Sequence, residues 1–198
     1  MAVSVEDIKK LKELTGVGLG DAKSALVEAE GDFDKALEAM RKKGLTKAEK
    51  KADREAREGV VDSYVHGGRI GVLVEVNCET DFVARTDGFK DFAHQIALQV
   101  ASMTPEYVSE DEIPAEEIER VREEAKASDA LAGKPADMID KIVDGQVKKH
   151  FADKVLLSQS YIMDDSKTVG DFLKETIAKT GENIIIRRFK RIELGVND

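Results

Sequence analysis

Apolar positions recur every three or four residues up to residue 44 and every two residues in the stretch that opens at residue 59. This change of period predicts helices first and strands later. Val5, Ile8, Leu11 and Leu14 fall at three-residue steps on one stripe, with Ser4 and Asp7 as cap and near-box partner at its start. Thr15-Gly16-Val17-Gly18-Leu19-Gly20 breaks that helix. A second carries Ala22, Ala25, Leu26 and Ala29 and stops at Gly31. Asp32 caps a third, which carries Phe33, Ala36, Leu37 and Met40 and stops at Gly44. Residues 1–44 thus read as a three-helix module. It lies near the size where one core barely suffices, so its Ala faces must let the helices approach closely.

Residues 45–58 are nearly all charged or Ala, without an apolar stripe, and read as a solvated helical connector. From Arg41 to Glu58 there are eight Lys/Arg and four Asp/Glu, but no aromatic residue interleaves with them to stack on bases. Beyond Gly59, Val60 to His66 and Arg69 to Asn77 form a hairpin across a two-residue Gly67-Gly68 turn, with Ile70, Val72, Val74 and Val76 on one face. A helix over 88–103 packs through Phe89, Phe92, Ala93, Ile96 and Val100. Residues 105–153 read as a helical hairpin around Ile118, Val121, Met138, Ile139, Ile142 and Val147, broken near Gly133-Lys134-Pro135. Thr168 to Lys179 is a last helix. Asn183 to Leu194, with Ile184, Ile185, Ile186 and Phe189, alternates too little to face water and predicts a well-buried third strand. The class is α+β: a three-helix head (1–44), a charged linker (45–58), and a core (59–198) with a small antiparallel sheet and a helical hairpin.

Composition narrows the function. Hydrophobic residues are 41% of 198 and suffice for a core, while aromatics are 5% and Trp is absent, so aliphatic residues and Ala must fill it. A net charge of -9 argues against broad attachment to nucleic acid phosphates. No basic start followed by an apolar run opens the sequence, and no window nears the roughly 18 apolar residues of a membrane span, so a soluble, cytoplasmic protein is expected. The single Cys78 allows no intrachain disulfide, and it reads as a small half-buried residue.

Little chemistry is encoded. The Gly16-x-Gly18-x-Gly20 run has no strand before it and lacks the sixth-position Gly, and Gly67-Gly68 lacks the Lys-Ser/Thr of a nucleotide loop. His66, His94 and His150 are too scattered for a metal site, and His94 and His150 read as helix-surface residues. No cofactor or metal is expected, and an enzyme using Asp81, Glu79 or His66 as acid and base would lack a second constellation. One segment resists a core reading: Asn77-Cys78-Glu79-Thr80-Asp81-Phe82-Val83-Ala84-Arg85 sets an acid beside two apolar residues after a strand and before the next helix. Phe82 is either a plug packed under that helix or an anchor presented to a partner.

These residues carry a resemblance. The head runs Leu11-Lys12-Glu13-Leu14-Thr15-Gly16-Val17-Gly18 and Asp21-Ala22-Lys23-Ser24-Ala25-Leu26, then Gly31-Asp32. The core runs from Gly71-Val72-Leu73-Val74-Glu75-Val76 into the asparagine-to-arginine segment, followed by Ser166-Lys167-Thr168-Val169 and Gly181-Glu182-Asn183-Ile184. From about residue 3 to 195 the chain resembles the elongation factor Ts family of bacteria and organelles. The resemblance implies a guanine nucleotide exchange factor for elongation factor Tu, not an enzyme. It would bind the GDP-bound GTPase, displace Mg2+ and promote GDP release so that GTP can bind during translation elongation. Thr80, Asp81, Phe82 and Val83 would enter the partner's nucleotide-binding domain, Phe82 as a wedge between two helices. His66 in Ser63-Tyr64-Val65-His66-Gly67 would touch the same domain, the ubiquitin-associated-like head would rest on it through Lys12, Leu19, Gly20 and Lys23, and the final strand region would face another domain. At Leu19-Gly20 the chain departs from the pattern, since many relatives carry two large apolar residues there. One Val-Asn-Cys-Glu-Thr-Asp-Phe-Val run, without a second, resembles the short members and implies a homodimer holding two copies of elongation factor Tu. The competing reading, an adaptor docking peptides through its head, explains residues 1–44 and leaves the tetrad unexplained.

Overall fold

The computed structural model describes residues 3–15, 17–128 and 135–196. Gly16 and the Gly133-Lys134 break lie outside them. Helix α1 (Val5–Thr15) starts on Ser4, whose Oγ accepts the Asp7 N–H at 2.9 Å and donates to the Asp7 carboxylate at 2.7 Å. Helices α2 (Leu19–Glu28) and α3 (Phe33–Glu49) complete the amino-terminal bundle. Its core is Leu11, Ala22, Ala25, Leu26, Ala36 and Met40, and its small Ala faces are the predicted ones. The α1 stripe is buried only in its middle, because Val5 and Leu14 are exposed.

Helix α3 does not stop at Gly44 but continues to Glu49. The following segment is not a solvated helix. Residues 50–53 turn, Ala48 joins the main core and Ala56 is buried. Asn183 Nδ2 donates to the Ala52 and Arg54 carbonyls at 3.3 and 2.7 Å, and Arg187 donates to that of Ala56 at 3.4 Å. Backbone polar groups of the 50–57 strap are thus satisfied by the core.

Strands β1 (Glu58–His66) and β2 (Ile70–Cys78) pair antiparallel, and β5 (Ile184–Glu193) pairs with the other edge of β2, giving the order β1-β2-β5. Gly67 and Gly68 both take positive φ, 54° and 69°, as a tight turn between right-twisted strands demands. Register pairs His66 with Ile70, however, so the loop counts three residues rather than two. Val72, Val74 and Val76 face helix α5 (Asp87–Met103), which buries Phe89, Phe92, Ala93, Ile96 and Val100 as the stripe predicts. Gly59 is required in β1: a Cβ there would stand 2.1 Å from the Val76 carbonyl oxygen.

Strand β5 is buried at Ile184 and Ile186 and then alternates with solvent, with Ile192 exposed, so it is an edge strand rather than a buried one. Its register slips opposite Glu75 and Val76, leaving Arg187 as the extra residue. That bulge resets the alternation and hides the period from a sequence reading. On the side away from α5, Val61, Val65, Leu73 and Ile192 are all exposed, flanked by the Glu75–Arg188 pair at 2.7 Å.

Helices α6 (Ala115–Lys126) and α7 (Ala136–Ala152) form the expected hairpin. Val143 and Phe151 on α7 are buried, as is Val121 on α6, and Met138 is exposed. A short hairpin, β3 (Ser160–Tyr161) with β4 (Asp164–Thr168), has no counterpart in the sequence reading. Buried Gln99 and Gln159 secure it: Gln99 Nε2 donates to Gln159 Oε1 and to the Ser160 carbonyl, each at 3.1 Å. Helix α8 (Val169–Thr180) starts from a Thr168–Asp171 capping box and packs against α3. The protein is α+β, with a three-helix head consistent with the ubiquitin-associated-like expectation.

Candidate partner-binding site

Asn77 lies in β2, as the strand period predicts. It is buried within β2, donates from Nδ2 to the Glu58 carbonyl at 3.3 Å, and accepts from Arg187 Nε at 3.1 Å. Cys78 ends the strand fully buried rather than half-buried, its Sγ donating to the Thr80 carbonyl at 3.2 Å. Burial first, and then the negative charge of Glu182, pushes its thiol up to about 11.

Thr80 is extended (φ -129°, ψ 153°) and caps a one-turn helix, α4 (Asp81–Ala84), its Oγ1 accepting the Val83 N–H at 3.4 Å. Thr86 closes the other end: its hydroxyl donates to the Val83 carbonyl at 2.8 Å and accepts the Phe89 N–H at 3.3 Å, starting α5. Ala84 is buried and Val83 packs on the main core. Their direction turns Phe82 outward, where it is 80% exposed, the most exposed of the large apolar side chains described. The plug reading is therefore excluded. Asp81 is half-buried, with its carboxylate 2.8 Å from Arg85 Nη2.

The turn is also held from the far end of the chain. The Glu182 carboxylate accepts the N–H groups of Glu79 and Thr80 at 3.1 and 3.0 Å and the Thr80 hydroxyl at 2.6 Å. Glu79 Oε1 accepts the Asn183 N–H at 2.6 Å and lies 3.5 Å from Arg54 Nη1. Glu182 and Asn183 carry no signal of this role in the sequence beyond the Gly181-Glu182-Asn183-Ile184 run, because no local pattern links residue 182 to residue 80.

The other expected contacts lie elsewhere. His66 is exposed at the β1–β2 tip, with Nδ1 2.9 Å from the Tyr64 hydroxyl. Nearby His94 is on the α5 surface as expected and sits 2.9 Å from Asp62. Cys78 lies eight steps along β2 from Ile70, which pairs with His66, so the tip and the tetrad stand about 26 Å apart along the sheet. Lys12 on α1 and Leu19, Gly20 and Lys23 on α2 are all exposed. Val27 is exposed too, and its four-residue spacing from Lys23 and Leu19 adds a large apolar residue to that α2 face. Among the described residues, no group of three or more His, Cys, Asp or Glu could hold a metal, and no helix is long and apolar enough to cross a membrane.

The site and the fold can be set beside known proteins. A family model described as Elongation factor TS matches residues 6–177. A protein named Elongation factor Ts from Thermotoga neapolitana is 54% identical over 196 residues, covering 98% of each chain. Relatives of the same name come from Thermoanaerobacter sp. (strain X514), 53% identical over 98% of this chain and 95% of that one, and from Coprothermobacter proteolyticus, 51% identical over 98% of this chain and all of that one. A family model over residues 6–177 and identity at this level over nearly the whole chain place the chain in the elongation factor Ts family.

Proposed function

We propose that this chain is the guanine nucleotide exchange factor of elongation factor Tu, acting by inserting Phe82 beside the partner's nucleotide pocket. The observation that carries this reading is Phe82 itself: a large apolar side chain held 80% exposed on a turn capped at both ends. Exposing it lacks a folding rationale, whereas a pre-ordered aromatic anchor loses little entropy on docking. Asp81, Thr80 and Val83 flank it and shift the elements that hold magnesium and phosphates. His66 and the head residues Lys12, Leu19, Gly20 and Lys23 widen the footprint. The family name supports a translation elongation role.

The energetics set the demand. A nucleotide bound at about nanomolar affinity and associating near 10⁶ M⁻¹s⁻¹ leaves at about 10⁻³ s⁻¹. Release at tens per second needs about 10⁴-fold acceleration, or roughly 5.5 kcal/mol of differential destabilisation. No chemical step is required: a factor whose binding weakens nucleotide affinity is itself expelled when nucleotide rebinds, because the coupling is reciprocal.

The short form acts as a homodimer in the cytoplasm, with two copies of elongation factor Tu. Support comes from the open sheet face, where Val61, Val65, Leu73 and Ile192 surround both signs of charge, Glu75 and Arg188. Stopped-flow release of a fluorescent GDP analogue from elongation factor Tu tests the function. Saturating acceleration by orders of magnitude is expected, and release at the intrinsic rate would leave the adaptor reading ahead.

A further inference from the structure

A helix of one turn has no stability of its own, since nucleation costs more than its few hydrogen bonds return. The pose of Phe82 must therefore be set by what grips α4 from outside. Thr86 grips one end from within the local sequence, and Val83 and Ala84 pack inward. The other end depends on one carboxylate. Glu182 takes the Thr80 hydroxyl proton at 2.6 Å, which leaves a Thr80 Oγ1 lone pair for the Val83 N–H at 3.4 Å. The cap is thus a relay in which Val83 N–H donates to Thr80 Oγ1 and Thr80 Oγ1–H donates to Glu182. The same carboxylate also takes the half-buried N–H groups of Glu79 and Thr80, fixing the two residues that lead into the turn.

Glu182 is held in turn. Gly181 ends α8 with φ 79°, and its carbonyl accepts from Lys51 Nζ. The Asn183 N–H is taken by Glu79, and its side chain binds the strap carbonyls of Ala52 and Arg54. Glu79 and Glu182 therefore cap each other's neighbouring backbone, tying the tetrad, the end of α8 and the strap below the head into one clasp.

We infer that Glu182 is a positioning residue for exchange: its carboxylate sets the Thr80 cap and thereby the direction in which Phe82 is presented to the partner. The inference rests on the wedge reading of Phe82. Glu182→Gln tests it with little change of volume. The amide oxygen can still accept an N–H, but the carboxylate charge is lost and an NH₂ replaces one acceptor, so the relay cannot persist in full.

Two measurements separate positioning from general damage. In the GDP-release assay at saturating factor, Glu182→Gln is expected to slow release by about tenfold, the scale of one charge-assisted hydrogen bond. In a Phe82→Ala background the same change should cost less than about twofold, because two residues acting through one group are not additive. Thr80→Val should reproduce the Glu182→Gln loss and Thr80→Ser should restore most of the rate. Separately, with all phenylalanines replaced by 4-fluorophenylalanine and the residue 82 signal assigned by Phe82→Leu, Glu182→Gln should shift or broaden that ¹⁹F resonance and leave that of Phe89 in place.

Full exchange by Glu182→Gln alongside a defective Phe82→Ala would overturn the inference and spare the wedge. An equal loss in both backgrounds, or ¹⁹F changes spread over the buried phenylalanines, would make Glu182 a structural residue only. Unimpaired exchange by Phe82→Ala would remove the wedge itself and the inference with it.

Discussion

Phe82 and Phe89 lie seven residues apart on consecutive helices, one 80% exposed and the other with no exposed surface. The two rings therefore contribute to different free energies. Phe89→Ala opens a cavity in the main core and should lower stability by about 3–5 kcal/mol, whereas Phe82→Ala should change it by less than about 0.5 kcal/mol. Urea unfolding followed by circular dichroism measures both. A comparable loss in the two variants would mean that Phe82 packs into the fold.

Cys78 gives a second check on the tetrad's base. Its thiol is pushed up to about 11 by burial and by the Glu182 charge, against about 8.5 in an unfolded chain. The native state thus disfavours the thiolate, so the contribution of Cys78 to stability is complete below about pH 8.5 and is lost as pH rises toward about 11. At pH 8 iodoacetamide should leave the folded chain unmodified while alkylating the urea-unfolded chain, as read by mass spectrometry. Equal labelling rates would contradict the buried position.

Leu73 is exposed on the open sheet face, opposite Ser63 on β1 and Lys190 on β5. Leu73→Glu places a second acid beside Glu75 without touching the core. Sedimentation at micromolar concentration should show a dimer for the parent chain and a monomer for this variant, with the same melting profile below the dimer's concentration dependence. A monomeric parent would contradict the dimer.

The elements that a sequence reveals are those whose pattern is local. The α5 stripe and the Val72, Val74 and Val76 alternation are legible because each residue's burial follows from one helix or strand period. Strand β5 is misread because the bulge at Arg187 resets that period midway. Helix α3 outruns Gly44 because glycine in a helix interior costs only about 1 kcal/mol, and Ala48 beyond it packs into the main core. The β3–β4 hairpin is too short and polar to show a period, and its anchors Gln99 and Gln159 are 60 residues apart. The tetrad stands out as a run, yet what orients it does not: Thr80 meets Glu182 across 102 residues, and only the folded chain brings them together.

Exchange by the Phe82→Ala and Asp81→Ala variants bears most directly on the central claim. Arg85 is exposed and Asp81 half-buried, so loss of the pair should cost less than about 1 kcal/mol of stability, and both variants should fold normally. Stopped-flow release of a fluorescent GDP analogue from elongation factor Tu, at saturating factor, should be slower for each than for the parent chain. An interface anchor of about 2–4 kcal/mol corresponds to a loss of roughly 30- to 1,000-fold for Phe82→Ala. Parent-like release rates in both variants would take the tetrad out of the mechanism.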